Sequence, residues 1–596
     1  MKKRGEMTRQ EADKNFQWKL SDIFATDDAY EAKFEETKAL VESFSKYEGN
    51  VGENIGEVLK ANFYIELSII QLYAYAKMNL DGDTGNTGAQ SMEGKAYNLY
   101  VNFASASAFL KPELLMLDES ILQNALKDES LQDYYVYLRK LIREKAHTLS
   151  YKEEKLMAMM GDSAATAENA FTMLTDADME FPEVTDTDGS KVKLTEPYYG
   201  KLIEDDNRDV RKEAFETLFE TYGKYKNTIA ATYGGSVKND KFVANARGFN
   251  SCVEASLYYD EIPLKVYDNL VEVINESIPY LNDYLKLRKD VLDYEELHMY
   301  DLYATIVKDV KWDMSYDEAF DNVIAALGVL GDDYTATLNR AKNEGWIDVY
   351  ENKGKASGAY SFGVYGVHPY ILLNHNDDLN SCMTLAHELG HTMHSWYSDN
   401  AQPFAKSDYS LFVAEVASTV NEVLLLKHLL NKTESKEKKA YLLNYFLEQF
   451  RTIMFRQTMF AEFERISHSL AEKGETLTHE VLSNEYYNLN KKYYGEICNV
   501  DELIAIEWAR IPHFYRAFYV FVYSTGFAAA VYLANKILSE GASAVESYKK
   551  FLSAGGSVPP LDALRMAGVD MENPEVIRNA MATFKETIDD LRNIIK

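Results

Sequence analysis

Cysteine is nearly absent from this chain of 596 residues: Cys252, Cys382 and Cys498 lie far apart, are odd in number and form no CxxC pair. A disulfide framework is thereby excluded, and a reducing, cytoplasmic setting is expected. Proline is scarce at 11 and glycine modest at 30, which rules out collagen-like and low-complexity chains. Positive charge is also short: 63 Lys and Arg face 94 Asp and Glu, a formal net charge of −31. With no basic surplus to neutralise phosphates or anionic headgroups, neither nucleic acid nor a membrane surface is an expected partner. The opening MKKRGEMTRQEADKNF has basic residues but no apolar segment of the kind a secretory signal needs. One apolar stretch, Phe518 to Leu533, is broken by Tyr519, Tyr523, Ser524, Thr525 and Gly526. It falls short of the about 20 apolar residues of a membrane span, and reads as a buried helix of a large helical protein.

What remains is an ordinary apolar fraction of 46%, enough for a large core in more than one structural unit. Most of it is patterned as amphipathic helix, with apolar residues at three- and four-residue spacing in Tyr30 to Phe44, Arg208 to Tyr222 and Tyr441 to Phe463. Two places break the pattern. In Phe181 to Thr195, Asp188-Gly189 between short β-prone runs predicts a hairpin. It also marks a boundary between an N-terminal helical domain, 1–195, and a catalytic domain, 196–596. In Ile347 to Asn374, Gly354, Gly358, Gly363 and Gly366 alternate with aromatic and β-branched residues, and Pro369 to Asn374 reads as a strand. A small sheet is expected there, directly before the segment with the chemistry.

That segment, Asp378 to Tyr397, is helical by pattern, and Asp377 and Asp378 place negative charge at its start. It contains His387-Glu388-Leu389-Gly390-His391, an H-E-x-x-H motif. Residues i and i+4 share a helix face, so both imidazoles can reach one cation about 2.0–2.1 Å from each ring nitrogen. Glu388 lies at the edge of that face, where it can hold a metal-activated water as general base. Ala386, Leu389 and Met393 supply an apolar packing face, and Gly390 invites the close approach of another backbone or of a substrate. A catalytic zinc needs a third protein ligand and one open position. His394 would ask one straight helix for all three ligands, so it is placed behind the site or beside the substrate. The apolar helical run Val413 to Leu426 holds two acids, Glu415 and Glu422. Such groups need a partner when buried. Glu415 is chosen as the third ligand, and Glu422, two turns on, as a brace for the second nitrogen of a ligand histidine.

H-E-L-G-H-T-M-H followed by E-V-A-S-T-V-N-E resembles oligoendopeptidase F and its relatives among the thimet oligopeptidase-like zinc peptidases. Trp18-Lys19-Leu20-Ser21-Asp22-Ile23-Phe24, Tyr300-Asp301-Leu302-Tyr303-Ala304 and Gly358-Ala359-Tyr360-Ser361 are similar in style, so the resemblance runs nearly the whole chain. It implies a mainly α, two-lobed fold with a deep substrate channel open only to short unfolded peptides. It also implies one Zn2+ per chain, with His387, His391 and Glu415 as ligands and Glu388 as general base. Ile511 to Phe527 is rich in hydrogen-bond donors. The resemblance places a His and Tyr residues of this region over the zinc, roles that fall on His513 and Tyr523, with Tyr519, at helical spacing, in reserve as a substrate contact. Gly358 and Tyr360, in the strand region, are expected to pair with substrate backbone.

Two other readings compete with an endopeptidase. A dipeptidyl carboxypeptidase or another gluzincin peptidase would need a dedicated site for a substrate terminus, and no such motif is evident. A peptide-binding protein with an inert zinc site would have no need of Glu388.

Overall fold

A computed structural model describes residues 4–307 and 310–595. The chain is mainly α-helical, with three small sheets among the described residues. It divides into two compact units, each assembled from three chain segments. The first comprises Met1–Thr148, Lys311–Asn431 and Leu533–Val569; the second comprises Leu149–Val310, Lys432–Tyr532 and Asp570–Lys596. No helix among the described residues is long and apolar enough to cross a membrane.

In the first unit, the helices Asp27–Ser43, Ile55–Gly82 and Thr87–Ala106 pack around one apolar cluster that includes Tyr30, Phe34, Leu72, Tyr75 and Leu99. The expected sheet follows in the second segment. Tyr370–Leu372 is its central strand, parallel to Ile347–Asp348 and antiparallel to Tyr360–Phe362, which forms an edge. Tyr370, Ile371 and Leu372 are all buried, as a central strand requires. Tyr360 and Phe362 pack on a second cluster with Trp18, Met78 and Leu372. Ser361, on the opposite face by the two-residue period, bonds the Thr392 hydroxyl at 2.8 Å. The helix Leu379–Ala401 starts two residues after Asp377, whose φ of +56° turns the chain into it. Asp378 caps it by accepting from Ser381 N–H at 2.7 Å, and the helix ends before Pro403.

In the second unit, the predicted hairpin is present: Glu183–Thr185 pairs antiparallel with Lys191–Lys193, and Gly189 takes the left-handed conformation the turn demands. The helix Arg208–Ala246 extends well beyond the run read from sequence. Two expectations of unbroken helix fail here. Tyr441 to Phe463 is interrupted by a π-helical segment, Phe450–Arg456, between Lys436–Gln449 and Gln457–Glu472. Its Arg451 and Arg456 are paired in the interior with Glu448 and Glu507. The second failure concerns the tyrosine segment. Pro512–Tyr515 is a 3-10 turn, Phe518 is left-handed at φ +58°, and regular helix begins only at Phe521. Tyr515, Tyr519 and Tyr523 therefore do not share one helix.

Candidate metal centre

The helix Leu379–Ala401 carries the H-E-x-x-H motif, and Leu385, Ala386, Leu389 and Met393 bury its rear face completely. Against it runs Leu411–Lys432, the helix of the two acids. Gly390 is the reason they meet so closely. A Cβ built there would lie 2.5 Å from Ser418 Cα, 2.6 Å from Ala417 O and 2.8 Å from Ser418 N, all backbone atoms. Asn421 ties the two helices at the same level: its Nδ2 donates to Ala386 O at 3.1 Å, while its Oδ1 accepts from Tyr334 Oη at 3.1 Å.

This packing gathers three donor atoms. His387 Nε2 and His391 Nε2 lie 3.1 Å apart, and Glu415 Oε2 is 3.4 Å from each. Four bonds of about 2.0–2.1 Å in a tetrahedron imply ligand-to-ligand edges of about 3.3–3.4 Å. The triangle therefore fits one zinc-sized cation. Among the described residues this is the one group of three His, Cys, Asp or Glu side chains with such spacing. The side chains keep exposures of 29%, 18% and 43% in that order, so one side of the cluster faces outward. A closed structural site would not need that opening, whereas a catalytic one does.

Polar neighbours fix the donors. Glu422 Oε1 lies 2.6 Å from His387 Nδ1, which makes Nδ1 the protonated nitrogen and turns the lone pair of Nε2 towards the cluster. Ser418 Oγ donates to Glu415 Oε2 at 3.0 Å. Burial pulls the His387 imidazole down, but the hydrogen bond and charge of Glu422, with Glu388 and Glu415, carry it up to about 9. Burial likewise works against the Glu415 carboxylate, yet His391, His387 and Ser418 hold it down at about 2. Both shifts say the same thing: this pocket favours positive charge between the rings and the carboxylate. Glu388 is 7% exposed. Burial raises its carboxyl above the ordinary range; the two imidazoles pull it down and the charges of Glu415 and Glu422 push it up.

The other residues singled out from sequence are placed as follows. His394 is interior, stacked flat on Tyr409 at 3.6 Å with Phe551 at 5.0 Å, and burial followed by the charge of His391 pushes its imidazole down to about 3. Tyr360 turns its ring inward, where its hydroxyl donates to Asp81 at 2.8 Å, so only its main chain is left on the strand edge. Gly358 is left-handed at φ +86°, and its carbonyl accepts from Asn374 Nδ2 at 2.9 Å. His513, Tyr519 and Tyr523 belong to the second unit, with the Tyr523 ring 6.0 Å from His513 and 5.3 Å from Tyr519. Burial and then the Arg516 charge lower the His513 imidazole below its ordinary value. Ser418 and Asn421 were missed. Their signal was present: two small polar residues, three and six positions after Glu415, in an otherwise apolar helix.

Comparison with known proteins gives a family for this geometry. The model of Peptidase family M3 matches residues 201–583, and that of Oligopeptidase F matches residues 113–181. Oligopeptidase PepF of Bacillus subtilis is 45% identical over 97% of this chain and 87% of its own length. Group B oligopeptidase PepB of Streptococcus agalactiae is 38% identical over 98% of both chains. The crystal structure of oligoendopeptidase-F from Enterococcus faecium superposes with a TM-score of 0.73 at 34% identity, covering 96% of this chain and 99% of that one. The chain thus belongs to Peptidase family M3 and is a metallo-endopeptidase of the oligopeptidase F kind.

Proposed function

We propose that this enzyme is a zinc-dependent oligoendopeptidase that hydrolyses internal bonds of short unfolded peptides. The observation that carries the reading is the triangle of His387 Nε2, His391 Nε2 and Glu415 Oε2, with edges of 3.1, 3.4 and 3.4 Å. Zinc held by these three atoms would supply Lewis acidity towards the scissile carbonyl and lower the pKa of a water there to about 7. The chain does the rest. Glu388 takes the proton of the attacking water on its carboxylate and returns it to the leaving nitrogen as the C–N bond breaks. Glu422 keeps the His387 ring oriented and protonated at Nδ1. His513 and Tyr523 donate hydrogen bonds to the oxyanion, and Tyr519 contacts the substrate. The unpaired side of the edge strand Tyr360–Phe362, together with Gly358, pairs with substrate main chain, which reads the backbone and tolerates varied side chains. His394, stacked on Tyr409, backs the motif helix.

Free, buried Cys252, Cys382 and Cys498 support a reducing, cytoplasmic setting. A division into an N-terminal helical domain, 1–195, and a catalytic domain, 196–596, belongs to the same reading, although it cuts across the first compact unit, which joins 1–148 with 311–431; expression of 196–596 alone as a folded, zinc-binding protein would test it. The test of the mechanism is Glu388→Gln with a doubly blocked fluorogenic peptide. The variant is expected to keep one zinc per chain and lose about 100- to 10,000-fold in kcat. Parent-like cleavage by Glu388→Gln would sink the mechanism, and a parent that cuts a free-ended peptide of the same sequence but not the doubly blocked one would replace the endopeptidase by an exopeptidase.

A further inference from the structure

Glu464 is a carboxyl with no exposure at all, on the helix Gln457–Glu472 of the second unit. Its Oε1 accepts from Phe518 N–H at 3.1 Å, and its Oε2 has no hydrogen-bond partner. The charge that acts on it is that of Asp240, of like sign, which lies 3.1 Å from His468 Nε2. Burial raises Glu464 well above the ordinary carboxyl range, against the pull of the Phe518 N–H and with the charge of Asp240 adding to the rise. Phe518 is itself unusual. A bulky residue at φ +58° is strained, and such strain persists only where the surroundings enforce it. Here one hydrogen bond joins a buried acid and a strained backbone, each costly by itself.

The position of that bond gives it meaning. The segment 512–524 is pinned at several points, among them Ala517, whose carbonyl accepts from Ser256 Oγ at 3.3 Å. Tyr515 Oη shares a hydrogen bond with Thr232 Oγ1 at 2.7 Å, and its ring stacks on Phe171 at 4.5 Å. Phe518 is held by Glu464, with its ring against His468 at 4.6 Å and Tyr267 at 6.2 Å. Ser524 Oγ donates at 2.7 Å to the carbonyl of Ile453, inside the π-helical segment. His513, Tyr519 and Tyr523 each lie within two residues of one of these anchors. The left-handed turn at Phe518 sends its own ring inward and leaves Tyr519 under the Arg516 guanidinium, 4.0 Å from the ring centre.

We propose that Glu464 is a positioning residue for peptide hydrolysis: by holding the left-handed Phe518 it sets where His513, Tyr519 and Tyr523 stand. The proposal rests on the reading above that His513 and Tyr523 serve the oxyanion. A geometric error near 1 Å in such donors is worth about 100-fold in rate. Removing the acceptor should therefore act on kcat. It should act little on stability, because exchanging a buried acid for an apolar side chain of similar size relieves a desolvation cost.

The experiment measures kcat, KM, zinc content and Tm for Glu464→Gln, Glu464→Met and the double variant Glu464→Met/Phe518→Gly. The glutamine keeps a carbonyl acceptor and no charge, and should stay within about threefold of the parent. The methionine should lose about 10- to 100-fold in kcat, with KM, zinc content and Tm near those of the parent. The double variant should recover most of that loss, because glycine takes the left-handed conformation without a clasp. Parent-like kcat in Glu464→Met overturns the proposal. So does a fall in Tm and zinc content together with kcat, or failure of both methionine variants to fold, since these mark a merely structural role. His513→Gln and Tyr523→Phe separate the two levels: if they are silent, the oxyanion reading fails; if they lose kcat while Glu464→Met does not, the positioning role alone fails.

Discussion

Gly390→Ala is the smallest perturbation that reaches the metal triangle without touching a donor atom. The new methyl would fall 2.5–2.8 Å from three backbone atoms of Ala417 and Ser418. Backbone cannot rotate away as a side chain can, and ordinary carbon contacts begin at about 3.5 Å, so the two helices must part by about 1 Å. Ser418 Oγ donates to both the carbonyl and the Oε2 of Glu415, so the displacement carries the proposed third ligand with it. Metal–ligand distances tolerate about 0.2 Å. A shift several times larger should cost at least the about 10- to 100-fold in zinc affinity that follows loss of a supporting contact. Stability moves less. Overpacking costs about 1–3 kcal/mol, and alanine returns about 1 kcal/mol of helix propensity over glycine, leaving about 0–2 kcal/mol. In a unit of about 300 residues, about 2.1 cal/mol/K of unfolding entropy per residue gives about 1.6 °C per kcal/mol, so Tm should drop by no more than about 3 °C. Chelator competition for zinc, alongside thermal unfolding of the metal-free protein, reads the two effects separately. Parent-like zinc affinity in Gly390→Ala would refute the claim that this close approach places Glu415.

Two further outcomes follow from groups around the site. Glu422→Gln removes the charge 2.6 Å from His387 Nδ1 and should weaken zinc by about 10- to 100-fold, read by the same competition; no change would mean that the His387 ring is held by packing alone. Asp399, on the motif helix, is pushed up to about 7 by burial and then by the charge of Asp408, against a Ser407 hydrogen bond. A carboxyl whose folded value is raised costs stability above that value and costs none once the pH falls below the unfolded one. Asp399→Asn should therefore raise Tm at pH 8 and do little at pH 4, and a gain independent of pH would remove burial as the cause.

The parts legible in the sequence were those whose meaning is complete within a few turns of one helix. His387 and His391 need only the i, i+4 spacing, and the acids at 415 and 422 stand out because an apolar helix has no use for charge on its buried face. Mid-helix Gly390 announced a close approach, but not that Ala417 and Ser418 would be the approaching backbone. The small sheet was legible from glycines and β-branched residues, although the fate of the Tyr360 ring was set by Asp81, 279 residues earlier. The tyrosine segment was the least legible. Periodicity reports which residues would share a face if the chain stayed helical, and it is silent about what a distant helix can impose. Phe518 is bent out of the helical pattern by a carboxyl 54 positions away, and Ile453 lies in a widened turn 71 positions before the serine it accepts from. Both partners are polar groups in apolar surroundings, as Glu415 and Glu422 are, and that is the common signal. Some of the interior acids pair with arginines, as Glu448 and Glu507 do, while Glu464 holds a backbone amide and Glu415 is the proposed metal ligand. Glu415 stands out in the sequence because a motif nearby suggests a ligand for it, whereas Glu464 is passed over because what it holds is a single amide.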